Sequence, residues 1–292
     1  MEKPLSRRTA IGATAVAVGG WLAGCGSPPT PRLDPTPDAS PPASSPSASP
    51  TLASPTPALP TRAELVARYA GRVPREWGLD VTGVPSATTS LGVLITLDLC
   101  GGPGGAGLDT QLIDLLVEHQ VPAGVFVNAR WIEANPGGVA ELAETGLIDL
   151  ANHGTSHRPL SVNGRAAYGI NGTRDAGAVV DEVLGCHDLL TSITGVAPRW
   201  FRSGTAHYDE VAVEITRELG EIPVGFSVNG DAGATASAAQ VAAALRATKP
   251  GDIVIAHANR PDGATFEGFA QALPQLVAAG TQFVRLADAN LA

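Results

Sequence analysis

An α/β fold built on a parallel sheet is the architecture this sequence predicts from residue 91 onward, and three observations carry it. Seven short apolar runs recur along the chain. Amphipathic stretches of helical period lie between them, several ending at glycine. Five of the seven runs also carry an ionisable side chain at or just past their carboxyl end, where parallel α/β sheets build their sites. Repeated strand–helix units imply a sheet covered by helices, either open or closed into a barrel.

Taken in order, the chain opens with Arg7-Arg8 and an apolar stretch from Ala10 to Ala23 that is too short and glycine-rich for a comfortable membrane span. A charged start before a short apolar core is the pattern of an export signal, and the paired arginines resemble a twin-arginine signal. "LAGC", Leu22 to Cys25, resembles the lipobox of bacterial lipoproteins, whose cysteine thiol is acylated. Residues 1–25 are therefore expected to be an export and lipoprotein signal. They would leave the protein anchored by lipid on Cys25 at the outer face of the bacterial cell membrane, a plain signal being the blander reading. Residues 26–60 are Pro, Ser, Thr and Ala with almost no large apolar group, so they cannot bury enough surface to offset their ordering entropy. They read as a disordered tether, and residues 61–292 as the folded domain.

Within that domain Arg62–Tyr69 reads as a short leading helix. The strand-like runs are Leu91–Leu99, Ala123–Asn128, Leu147–Asn152, Arg199–Arg202, Ile222–Val228, Asp252–His257 and Thr281–Leu286. Asp109 can cap "TQLIDLLVEHQ", in which Leu112, Ile113, Leu116 and Val117 share one face. The stretches "AGAVVDEVLGCHDLLTSIT", "YDEVAVEITRELG", "SAAQVAAALRAT" and "FEGFAQALPQLVAAG" repeat that period.

Composition narrows the partners. Apolar residues are 44% of the 292, charged residues 16%, and the net charge is -9, so nothing supplies the clustered cations that nucleic-acid phosphates need. Beyond Cys25 only Cys100 and Cys186 remain, and two separate thiols are expected rather than a disulfide. "CGGPGGAG" lacks both the GK[ST] of a phosphate loop and the GxGxxG spacing.

The polar residues at the strand ends are Asp98, His153 with His157, Arg202, Asp231 and His257. Singly, each has a bland reading. The two histidines could be loop residues, Asp98 a turn cap, Arg202 a surface cation and His257 a hydrogen-bonded core residue. Convergence at one end of one sheet favours a site. His119 and His187 fall inside helical stretches and read as structural.

In this order, these residues resemble the NodB-homology polysaccharide deacetylases, carbohydrate esterase family 4. "ITLDLCGGP" is similar to the family's T-F-D-D-G-P, "HGTSHRPL" to H-[ST]-x-x-H-P, "FRSGTAHYD" to R-x-P-x-G, and "IVIAHANRP" to L-x-H. The resemblance implies a distorted (β/α)7 barrel and metal-dependent deacetylation of a polysaccharide, with cell-wall glycan as the expected substrate. It implies His153 and His157 as metal ligands, Asp98 as general base, His257 as general acid, Arg202 as the partner of Asp98, and Asp231 as the support of His257. The departures are also specific. Leu99 and Cys100 stand where the family has its second, metal-binding aspartate; Ser203 and Gly204 stand where the family has prolines, and "NGDAGAT" lacks the fourth motif's tryptophan. The third metal position is left to Asp98 or water, with a Cys100 thiolate as the other option; zinc is the expected ion. A glycan-binding surface lipoprotein without turnover, and an O-acetyl esterase, are the competing functions.

Overall fold

The computed structural model describes residues 59–291; the expected signal, Cys25 and nearly all of the tether lie outside them. The described elements are α1 Arg62–Tyr69, β1 Leu94–Leu99, α2 Thr110–Glu118, β2 Ala123–Val127, α3 Ala129–Ala134, α4 Gly138–Glu144, β3 Ile148–Asn152 and α5 Ala176–Thr194. They continue with β4 Trp200–Phe201, α6 Glu210–Glu218, β5 Ile222–Pro223, β6 Val228–Asn229, α7 Ala238–Arg246, β7 Ile253–His257 and α8 Thr265–Ala278. Local signals set the helix ends. Asp109, Asp175 and Asp209 each accept a backbone N–H three residues on, and Thr61 and Ser237 complete capping boxes. Gly195 ends α5 in the left-handed conformation with φ 72°.

The seven strands form one sheet in the order β5-β4-β3-β2-β1-β7-β6, and every neighbouring pair is parallel. The predicted strand–helix alternation is realised as a curled half-barrel of the NodB (β/α)7 kind. Strands of such a sheet are covered on both faces, so their two sets of side chains separate into two cores. On β1, Ile95, Leu97 and Leu99 belong to the large core under the helices. Leu94 faces inward with Phe126, Ala151, Trp200, Val224, Ile253 and Leu286, which plug the barrel's bottom. Above that plug the inward side of β1 continues as Thr96 and Asp98, both buried. A third cluster packs α1, α5 and α6 together.

Two expectations are corrected. The run Ile222–Val228 is not one strand, because it stops at Pro223 and resumes at Val228. Its first half pairs with β4 at one edge of the sheet and its second half with β7 at the other. Five residues of chain from Pro223 to Val228 reach at most about 18 Å, so the two sheet edges must approach one another. The run Thr281–Leu286 is no strand either; Phe283 makes a single parallel bridge with Val93, while Leu286 is spent on the bottom plug. Helices α3 and α4, between β2 and β3, are additions, broken by Asn135-Pro136-Gly137 in a way that reads as loop.

Candidate metal centre and acid–base site

The site stands on the polar upper layer of the barrel interior. Parallel register places Asp98 of β1 directly opposite His257 of β7, so a carboxylate and an imidazole meet at one level on adjacent strands. Arg202, just past β4, is wholly buried and reaches across the interior. Its Nη1 donates to Asp98 Oδ1 at 2.8 Å and to Thr96 Oγ1 at 2.9 Å. Its Nε and Nη2 donate to the carbonyls of Val224 and Gly225, and the guanidinium lies 4.2 Å from the centre of the Phe126 ring. Burial pushes the Asp98 carboxyl up, but Arg202 and then His153 and His257 outweigh it, so the group sits below its ordinary range.

The two histidines flank a loop that three buried side chains hold. Asn128 Nδ2 donates to the carbonyls of His153 and Gly154. Asn152 Oδ1 accepts from Gly154 N–H, and its Nδ2 donates to Glu221 and to Val183 carbonyl. Glu182, on the buried face of α5, accepts the N–H groups of Ser156 and Arg158 on either side of His157. His157 itself is held at φ 60°, a left-handed conformation that costs a non-glycine residue of order 1 kcal/mol or more and tends to mark functional sites. Gly204 permits this: a Cβ there would lie 2.2 Å from the His157 carbonyl carbon. Ser203, at a family proline position, donates its N–H to Tyr208 Oη at 2.8 Å, a bond proline could not make.

On the far side, His257 Nδ1 donates to Asp231 Oδ1 at 2.9 Å, and Asp231 Oδ2 accepts both the His257 backbone N–H and the Thr265 hydroxyl. Burial opposes a charged His257; the Asp231 hydrogen bond, followed by Cys100, outweighs it and raises the imidazole well above its ordinary value. Asp98, Cys100, His157 and His257 all line one cleft of about 530 Å³.

The donor set fits a divalent ion. Ligand atoms of Cys100, His153 and His157 lie within 4.8 Å of one another. His153 donates from Nδ1 to the Arg202 carbonyl at 2.9 Å, which leaves Nε2 of the neutral imidazole as the acceptor, beside Cys100 Sγ. His157 Nε2 is buried and has no hydrogen-bond partner, a vacancy that an ion would satisfy. Asp98 Oδ2 lies 3.6 Å from His153 Nε2, but its other oxygen is committed to Arg202, and the residue that completes the three-donor group is Cys100. Cys100 and Cys186 are both free thiols, as expected.

Sequence reasoning missed Glu182 and Glu221. Glu182 carried a signal, a carboxylate on the apolar stripe of Val179, Val183 and Cys186. Glu221 carried none, following Gly220 at a turn; it is fully buried between His187 Nδ1 at 2.6 Å and Asn152 Nδ2 at 2.9 Å. Burial pushes its carboxyl up to about 7 despite His187 and Asn152. His187 is raised in turn by Glu221, so the pair holds its protons more tightly folded than unfolded. Stability from such groups is complete below their unfolded pKa values and is lost as pH rises through the folded ones. The melting temperature should therefore fall as pH rises from about 4.5 to about 7, the interval between the ordinary and the raised value of Glu221, and Glu221→Gln should flatten that slope in parallel calorimetric scans. An unchanged slope in the variant would count against the pair.

Residues 87–222 match the family model described as polysaccharide deacetylase. A family 4 carbohydrate esterase pseudoenzyme from Bacillus anthracis shares the fold at a TM-score of 0.59 and 16% identity, over 72% of this chain and 69% of that one. The Bc1960 peptidoglycan N-acetylglucosamine deacetylase does so at 0.59 and 22%, over 71% and 92%. PdaA of Bacillus subtilis, a family 4 carbohydrate esterase, does so at 0.58 and 18%, over 74% and 95%. At these identities the likeness is one of fold, and it includes a protein described as a pseudoenzyme beside one described as a deacetylase. Together with the ordered motifs on the strand ends, the match makes residues 87–222 a polysaccharide deacetylase domain, on a fold shared with proteins of carbohydrate esterase family 4.

Proposed function

We propose that this protein hydrolyses N-acetyl groups from a cell-wall glycan, with a divalent ion held by His153 and His157. The observation that carries this reading is the pairing in register of Asp98 and His257 across one cleft, each with its own buried partner. Amide hydrolysis needs a base for water and an acid for the departing amine, and two groups with separate supports supply both. The ion, when bound, supplies Lewis acidity for the acetyl carbonyl and for water. Asp98, kept ionised and oriented by Arg202, takes the proton from water. His257, kept protonated by Asp231, delivers a proton to the sugar nitrogen as the C–N bond breaks. The sign of each pKa displacement suits its role, since the base is held down and the acid held up.

The N-terminal features support a placement that goes with this substrate. A lipid on Cys25, joined to the domain through the Pro-, Ser-, Thr- and Ala-rich segment, would hold it at the outer face of the membrane, beside the cell's own wall. Cys25-lipidated protein should partition with membranes, and Cys25→Ala should release it into the medium.

The function is tested with purified residues 26–292 loaded with zinc, by acetate release from N-acetylglucosamine oligomers and peptidoglycan fragments. His153→Ala should lose both the bound metal and the acetate release. Turnover that persists without metal would sink the mechanism. One observation favours a second reading: Leu99 occupies the position of the family's second aspartate. A domain that pulls down glycan and releases no acetate would be a binding protein. Acetate from O-acetylated xylan alone would make it an esterase.

A further inference from the structure

We propose that Cys100 is the third metal ligand, so that the centre is a Cys-His-His site in which a thiolate replaces a carboxylate. The inference rests on the metal-dependent reading above and deepens it. Strand alternation is the first ground. Leu99 turns outward into the helix-facing core, and the following residue comes back to the cleft that also holds His157. Proximity is the second, with the Cys100 Sγ 3.7 Å from His153 Nε2 and the three donors mutually within 4.8 Å. The third ground is that Cys100 is anchored like a ligand rather than packed like a core thiol. Arg130 Nη2 donates to its carbonyl at 2.9 Å, and Arg130 is itself held by Asn128, the residue that pins the His153 loop. The next residue, Gly101, turns at φ 65° where a Cβ would meet the Trp131 nitrogen at 2.4 Å, so the chain leaves Cys100 along one path only. Cys186 is the contrast, buried under the helices with its thiol donating to the Val127 carbonyl.

Two consequences follow from ligand chemistry. A thiolate with two imidazoles selects zinc, cobalt or cadmium over magnesium and manganese. It also leaves Asp98 outside the ligand set, in its pair with Arg202 and free to accept a proton.

The test is cobalt substitution of the metal-free protein, read by absorption. Thiolate ligation gives a sulfur-to-cobalt charge-transfer band in the near ultraviolet that nitrogen and oxygen ligands do not. The wild type and Cys186→Ala should show the band, while Cys100→Ser and Cys100→Asp should lack it. Cys100→Asp should still bind cobalt through its visible bands, and Cys100→Ser should lose zinc affinity at least about tenfold. Bound zinc should also slow alkylation of Cys100 by iodoacetamide, located by mass spectrometry. Cobalt bound to the wild type without the charge-transfer band would overturn the thiolate ligand and leave the histidine site standing. Failure of the wild type to bind cobalt or zinc at all would overturn both.

Discussion

Asp98→Asn should slow acetate release by about 10² to 10⁴-fold while bound metal stays near the wild-type level. The size follows from removing a general base without removing volume: asparagine fills the same space and still accepts from Arg202 Nη1, but cannot take a proton. Retention of metal follows from the donor set, since Cys100, His153 and His157 form the group without Asp98. The check is kcat measured beside elemental analysis on the same preparation. Loss of the ion with Asp98→Asn would move Asp98 back into the ligand set. Unchanged kcat would remove it from the chemistry.

Arg202→Met should destabilise the domain by about 3–5 kcal/mol, because it leaves a buried carboxylate without its partner. At about 2–4 °C per kcal/mol for a domain of this size, the melting temperature should drop by roughly 10 °C. The cost is high because four acceptors lose their donor at once: Asp98, Thr96, and the carbonyls of Val224 and Gly225. In the wild type the lowered Asp98 contributes stability that is present above its unfolded pKa and lost as pH falls through the folded one. In the variant the unpaired carboxyl is raised, so its penalty grows as pH rises from the carboxylate range. The gap between the two proteins should accordingly narrow near pH 3 and be widest at neutral pH. Adding Asp98→Asn to Arg202→Met should recover part of the loss, and denaturant titration of the four proteins gives the coupling directly. A loss that is the same at every pH would show that Arg202 acts by packing alone.

Both expectations were reachable only in part from the sequence. Asp98, His153, His157, Arg202 and His257 were legible because each ends an apolar run, and a parallel sheet brings such ends to one side. Helix α5 was legible to its first and last residue, since Asp175 and Gly195 are local stop signals. The break after Pro223 was not read from the residues around it. What decides it is that the two sheet edges come close enough for one run to serve both. Thr281–Leu286 has the composition of a strand, but its apolar side chains are used to plug the barrel floor instead of extending the sheet. Glu221 lay at a turn where a carboxylate is ordinarily exposed, and only the packing of α5 over β3 buries it.

By itself the sequence determined the α/β class, the helix ends and the set of polar residues that share one end of the sheet, because periodicity, capping and strand polarity act within a few residues of one another. Which of those residues face each other was decided by the tertiary structure alone. Register put Asp98 opposite His257, Gly204 let the His157 backbone come close, and the outward turn of Leu99 carried Cys100 to the place where the chain lacks its expected aspartate. A ligand set is a matter of distances between atoms far apart in the chain, and folding is what fixes those distances.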